Sequence, residues 1–239
     1  MSRLVQFGGN SQSILPAFVV FSVANTTDAG SVRDGKEMRR GAIILCGGKS
    51  SRMGRDKATL PFGPECMLQR VVRLIGEVVP ASNIVVVAAA EQTLPPLPPE
   101  VRLARDEHED RGPLEGLAAG LRCLGDKVDA VYATSCDVPL LVPAFVTEMF
   151  ARLGGDEIAV PHDEDRLYSL AAVYRSTVLP RIERLLHQDQ LRVRLLFEAV
   201  RTRKVVTEEL RFVDPKLSTL MNLNRPEDYQ IALETAGFV

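Results

Sequence analysis

From residue 41 onward, the hydrophobic residues of this chain fall into two alternating patterns. One is the short, largely apolar run: residues 42–45, 84–89, 129–137, 157–161 and 167–174, with shorter strands read at 101–104 and 203–208. Such runs mark strands covered on both faces. The other is recurrence every three to four positions. Met67, Leu68, Val71, Val72, Ile75, Val78 and Val79 follow it, as do Leu117, Leu121 and Leu124 behind Pro113, and Phe145, Val146, Met149 and Phe150 behind Pro143. That spacing predicts helices, and proline suits a helix's first turn. Residues 176–186, 193–200 and 224–235 read as further helices, the last capped by Asn224 with Glu227 three positions on. Strands alternating with helices predict an α/β fold: a mostly parallel sheet with helices on both faces. In such sheets ligands sit beyond the carboxyl ends of the strands. The polar clusters at 47–57, 106–113 and 137–139 all fall there, which points to a single site.

The first 37 residues do not share this order. Their longest apolar run, residues 14–24, is too short to span a bilayer, which takes about 20 residues. Ser22-Val23-Ala24 would suit a leader cleavage site. Only Arg3 precedes the run, however, and Gly8, Gly9 and Asn10 intervene, which argues against a secretory leader. A polar stretch then leads to Met38-Arg39-Arg40. Residues 1–37 are therefore read as an N-terminal extension, expected to be poorly ordered, with Met38 a candidate natural start. Residues 38–239 are read as one domain.

Composition narrows the function classes. Hydrophobic residues make up 46% of 239, enough for a sizeable core. A formal net charge of -2 argues against a protein whose main task is coating nucleic acid, and the patterning against a membrane partner. The four cysteines, Cys46, Cys66, Cys123 and Cys136, form no C-x-x-C and read as small thiols in a reducing, cytoplasmic setting. With three histidines and no H-E-x-x-H, there is no zinc motif.

The candidate chemistry begins at residues 45–57, "LCGGKSSRMGRDK". Two glycines after a buried strand let backbone amides approach a ligand closely, and Arg52, Arg55 and Lys57 supply positive charge. The loop is neither G-x-x-x-x-G-K-[ST] nor G-x-G-x-x-G. Taken alone, it also fits a tight turn with solvated cations. In "CDVP", Asp137 ends a strand and Pro139 follows, so a hard oxygen ligand sits in a fixed place, as magnesium requires. An Asx-turn or helix cap explains the same aspartate. In residues 106–121 an acidic loop joins a helix start whose first amides could hold phosphate. In "NLNRPED", the cap accounts for Asn224 and leaves Asn222 unexplained.

Together these motifs resemble the molybdenum cofactor guanylyltransferase family, of the nucleotidyltransferase superfamily. The first matches that family's L-A-G-G-x-S-x-R-M-G-x-D-K and differs only at Cys46. "GPLEGLAAGL", "CDVP" and "NLNRPED" match the family's later motifs in order and spacing, so the resemblance covers residues 41 to about 236. It implies a single Rossmann-like nucleotidyltransferase domain that transfers GMP from GTP to the terminal phosphate of molybdenum cofactor and releases pyrophosphate. It implies magnesium as cofactor, and molybdoenzymes or cofactor-delivery proteins as candidate partners. By residue, it places the nucleotide at Leu45, Cys46, Gly47, Gly48, Lys57 and Asp106, gives catalytic roles to Arg52, Lys57 and Asp137, makes Asp137 the metal ligand, and puts Asn222 and Asn224 on the acceptor side. Two departures stand out. Glu115 replaces a usual alanine, and the segment after the second strand lacks an asparagine that some members use for the nucleotide. The alternatives are a related cytidylyltransferase, a sugar-phosphate nucleotidyltransferase, and a non-catalytic nucleotide-binding protein.

Overall fold

The computed structural model describes residues 37–46, 56–106, 111–164 and 166–238. The proposed extension, apart from Glu37 at its end, lies outside them, as do residues 47–55 of the first motif.

In chain order the strands are β1 (Arg40–Leu45), β2 (Pro61–Phe62), β3 (Glu65–Cys66), β4 (Ile84–Ala89), β5 (Arg102–Asp106), β6 (Ala130–Ser135), β7 (Ile158–His162), β8 (Ala172–Arg175) and β9 (Thr202–Val206). The helices are α1 (Met67–Gly76), α2 (Pro113–Leu124), α3 (Pro143–Leu153), α4 (Leu179–His187), α5 (Val193–Ala199) and α6 (Pro226–Thr235). Seven strands form one sheet in the order β5-β4-β1-β6-β8-β7-β9, and β2 pairs with β3 in a small hairpin. Every neighbouring pair in the large sheet is parallel except those involving β8. From β1 the chain steps to β4 and β5 on one side, then crosses to β6 on the other. The gap beyond the ends of β1 and β6 is therefore the topological switch point, where such sheets bind ligands.

The central strands are apolar on both faces because each face carries helices. On one side α1 and α3 bury Leu68, Val71, Val72 and Ile75, and Phe145, Val146, Met149 and Phe150, against Ile44, Val86 and Tyr132. On the other, α2, α4 and α5 bury Leu117, Leu121, Ile182, Leu185 and Phe197 against Ile43, Val85 and Val131. Alternate residues of β1, Ile43 and Ile44, thus serve opposite layers, as the two-residue period of a strand requires. Helix α2 lies very close to β1. A Cβ built on Gly120 would come within 2.8 Å of three side-chain carbons of Ile43.

Several boundaries differ from the sequence reading. The strand expected over 129–137 ends at Ser135, leaving Cys136 and Asp137 beyond the sheet. The one expected over 167–174 is only Ala172–Arg175, because a 3-10 turn at Ser169–Ala171 takes up its first half. The pieces expected at 101–104 and 203–208 are Arg102–Asp106 and Thr202–Val206. The helix expected from 176 opens as a 3-10 turn, Ser176–Val178. The β2–β3 hairpin was not anticipated. Its turn depends on Gly63, whose φ of +65° disfavours a side chain and whose missing Cβ would lie 2.4 Å from the Phe238 ring. The last helix starts at Pro226, and Asn224 does not cap it: the Asp228 carboxylate accepts from the amides of Asn224 and Arg225 at 3.0 and 2.9 Å.

Two alanine substitutions should separate helix propensity from packing. Gly76, the exposed last residue of α1, has nothing within 4 Å of a built Cβ. Gly76→Ala should therefore stabilise by about 0.5–1 kcal/mol. Gly120→Ala brings the same gain but must displace Ile43, and overpacking costs about 1–3 kcal/mol, so it should destabilise. Urea titration of both variants checks the opposite signs.

Candidate functional site

Three chain segments meet at the switch point. The first is the 3-10 turn Lys57–Thr59. Asp56 caps it, with Oδ1 accepting the Ala58 amide at 2.9 Å, and this fixes where Lys57 starts. The second is the end of β6, Ser135-Cys136-Asp137. The third is Asn222-Leu223-Asn224, whose middle amide donates to the Asp137 carbonyl at 2.9 Å.

A small third core joins them. Leu60 and Phe62 come from the first segment's continuation, Leu140 follows the second, and Leu223 lies inside the third; all pack together with Met67 and with Ala232 of α6. Arg70 on α1 braces the same unit. Its Nε donates to the Pro139 carbonyl at 2.7 Å, and its guanidinium lies over the Phe62 and Phe238 rings at 5.0 and 5.4 Å. Burial lowers its pKa, an effect partly offset by Glu65.

At the centre, the Lys57 ammonium donates to Asp137 Oδ2 at 2.8 Å and to Asn224 Oδ1 at 3.0 Å. The Lys57 and Asp137 side chains are 16% and 13% exposed, so water screens this pair little. The other carboxylate oxygen, Oδ1, accepts from Ser135 Oγ at 2.5 Å and from Asn222 Nδ2 at 3.0 Å. Asn222 also donates to Ser135 Oγ at 3.2 Å. Both oxygens of Asp137 are thus held by donors, as a buried carboxylate requires.

Of the residues named from the sequence, the structure brings Lys57, Asp137, Asn222 and Asn224 into one hydrogen-bonded group. Leu45 ends β1 beside Ser135 of β6, and its carbonyl accepts the Cys136 amide at 3.0 Å. Cys46 follows, buried in the α1/α3 layer. The neighbouring Cys136 thiol, together with burial, pushes its pKa well above the ordinary thiol value. Cys46 is therefore a neutral packing group, unsuited to act as a nucleophile. Asp106 stands two strands away, at the end of β5 and paired in register with Ala89. Gly47, Gly48 and Arg52 lie outside the described residues. Glu115 is buried, 3.6 Å from Arg111 just before α2 and 3.9 Å from Arg122 on it, so these two arginines balance its charge.

Sequence reasoning missed Ser135, although its spacing offered a signal: it stands two residues before Asp137. It also missed Asp56, Leu223 and Gln92. Gln92 lies past the end of β4 and touches both Cys46 and Asp56. No local pattern marked it.

A buried carboxylate paired with a lysine at the switch point of a doubly wound sheet defines a class of nucleotide- or phosphate-handling α/β proteins. Comparison with known sequences places the chain within that class. Residues 42–204 match the MobA-like NTP transferase domain family, and the chain belongs to it as a nucleotidyltransferase. A probable molybdenum cofactor guanylyltransferase of Methanosarcina mazei is 32% identical over 209 residues, covering 83% of this chain and 92% of its own. One of Mycobacterium avium is 36% identical over 182 residues, covering 74% and 89%. Among solved structures, the molybdopterin-guanine dinucleotide biosynthesis protein A of Archaeoglobus fulgidus superposes with a TM-score of 0.68 at 21% identity, over 84% of this chain and all of its own, and so shares the fold.

The burial pattern predicts thiol reactivity. Iodoacetamide at pH 8 should label the half-buried Cys66 and Cys123 in native protein and spare Cys46 and Cys136. Peptide mass spectrometry after timed quenching checks this; labelling of Cys46 as fast as Cys123 would contradict the assigned burial.

Proposed function

We propose that this nucleotidyltransferase transfers GMP from GTP to the terminal phosphate of molybdenum cofactor and releases pyrophosphate. The observation that carries the reading is the Lys57 ammonium held between Asp137 and Asn224 at the switch point, in a chain whose first motif is that of the guanylyltransferases. The similarity to relatives described as molybdenum cofactor guanylyltransferases supports the choice of nucleotide and acceptor.

The donor set suits a hard divalent cation such as magnesium. Two oxygens, Asp137 Oδ2 and Asn224 Oδ1, already hold a cation, the lysine ammonium, at 2.8 and 3.0 Å. Among the described residues no group of three or more His, Cys, Asp or Glu could hold a metal alone, and magnesium commonly takes one or two carboxylates with the rest from phosphate and water. Asp137 is the ligand in this reading, with Asn224 beside it. Magnesium held there would supply positive charge to offset the negative charge that builds up during phosphoryl transfer.

The chain's own residues then position and neutralise. Ser135 and Asn222 keep the Asp137 carboxylate in one orientation by holding Oδ1. Lys57 has three N–H bonds, so it can turn one to a phosphate oxygen of the departing pyrophosphate, with Arg52 as a second cation. Leu45, Cys46, Gly47, Gly48, Lys57 and Asp106 are assigned to the nucleotide, and Asn222 and Asn224 to the acceptor side or the metal. The acceptor phosphate is already an anion near neutral pH, so in-line attack at the α-phosphorus needs no general base.

The deciding experiment measures pyrophosphate release with magnesium and each of the four nucleoside triphosphates, with molybdenum cofactor as acceptor. GTP should exceed CTP in kcat/KM by well over about tenfold, and Gly48→Ala should narrow that ratio mainly by weakening GTP. A wild type that prefers CTP overturns the guanylyl assignment.

Asp137→Asn should retain the fold and lose about 10²-fold in rate. Lys57→Ala should raise the KM for GTP and lower kcat, whereas Lys49→Ala, at a variable motif position, should do much less. Steady-state kinetics on the folded variants checks both, and equal effects at the two lysines would mean that the loop carries only diffuse charge.

A further inference from the structure

Gln92 has no role in the function described so far, yet all of its amide hydrogen-bonding groups are engaged. The side chain is half-buried just past β4. Nε2 donates to the Cys46 carbonyl at 3.1 Å and to Asp56 Oδ2 at 2.7 Å. Oε1 accepts the Ala89 amide at 3.3 Å. A flipped amide would set oxygen against the Cys46 carbonyl and the Asp56 carboxylate, so the partners themselves fix its orientation.

The two acceptors hold special places in the chain. Cys46 is the residue before position 47, and Asp56 is the residue after position 55. One primary amide therefore joins the two flanks of the glycine-rich, cationic motif. It does so from the strand beside β1, without belonging to the motif. The tether is itself anchored. Arg105 on β5 donates through Nη1 to the carbonyls of Ala89 and Gln92, both at 2.8 Å, and the Gln92 amide closes the turn onto the Ala89 carbonyl at 3.2 Å.

From Asp56 the connection to the site is short. Oδ2 faces Gln92 while Oδ1 accepts the Ala58 amide at 2.9 Å and so orients the turn that carries Lys57. A hydrogen bond to a charged acceptor is among the stronger ones available to a neutral side chain. We infer that Gln92 is a positioning residue for nucleotidyl transfer: by joining the Cys46 carbonyl to the Asp56 carboxylate, it sets the placement of Lys57 relative to Asp137. Its action passes through Asp56, and it need touch neither nucleotide nor acceptor. The role rests on the reading of Lys57 and Asp137 as the charge-handling pair.

The test is an exchange of partners. Gln92→Glu keeps the shape, removes both donors and sets a carboxylate against Asp56. Adding Asp56→Asn restores a donor across that contact, while the new side-chain oxygen still accepts the Ala58 amide. With GTP, magnesium and molybdenum cofactor as acceptor, Gln92→Glu should raise KM and lower kcat, for a combined loss in kcat/KM of about 10–100-fold, the scale of a hydrogen bond to a charged group. The double variant should recover part of that loss, through the restored contact with position 56, even though Asp56→Asn alone is impaired and the Cys46 carbonyl still lacks its donor; the thermal midpoint should move only slightly throughout. Wild-type kinetics for Gln92→Glu, or purely additive losses in the double variant, would overturn the role.

A second readout needs no activity. In ligand-free protein, hydrogen exchange at the Ala58 amide should speed up in Gln92→Glu and slow again in the double variant. Should the wild type transfer no nucleotide at all, the proposed function fails, and this exchange measurement still judges the tether: unchanged exchange in Gln92→Glu rejects it.

Discussion

The ion pair between Lys57 and Asp137 depends on a constraint that neither residue supplies. The two lie 80 positions apart, and Asn224 lies a further 87 beyond Asp137. They meet because β1 and β6 run side by side with Leu45 opposite Ser135, which sets the end of one strand against the end of the other. The third segment arrives because Leu223 is buried in the small core shared with Leu60, Phe62 and Leu140. That apolar contact, with the Leu223 amide donating to the Asp137 carbonyl at 2.9 Å, sets Asn222 and Asn224 beside Asp137.

The same constraint accounts for the electrostatics. A carboxylate this deeply placed is costly unless its oxygens are satisfied. Ser135 and Asn222 take one oxygen and Lys57 the other. The result is a charged group rigid enough to serve as a fixed point and accompanied by a cation held by two oxygens at once. Glu115, an unexpected carboxylate near a helix start, is treated differently. Arg111 and Arg122 balance it, and its charge is not added to the switch point.

Much of the frame was legible in local pattern. Continuous apolar runs marked the central strands because helices cover both of their faces, and proline marked the starts of α2 and α3 because it fits a first turn. Boundaries failed where tertiary contacts decided them. The strand read over residues 129–137 was expected to run to Asp137, yet residues 136 and 137 leave the sheet. The expected cap at Asn224 is replaced by Asp228, since Asn224 is held by Lys57 instead. The β2–β3 hairpin carries no strong periodicity, and it exists because Phe62, Tyr229 and Phe238 pack around it.

What the sequence determined by itself was the class of fold, the family, and the identity of most groups at the switch point: Lys57, Asp137, Asn222 and Asn224 all stand in motifs. Those motifs are short, and each is dictated by backbone geometry or charge within a few residues, so they can be read along the chain. What only the tertiary structure decided was which groups touch. Ser135 could be suspected from its two-residue spacing, but its bond to Asp137, the neutrality of Cys46 against Cys136, and the reach of Gln92 to both Cys46 and Asp56 all depend on strand register and turn placement. A glutamine beyond a strand has no local signature, because its significance lies in two acceptors that the fold brings within 3.1 Å of a single nitrogen.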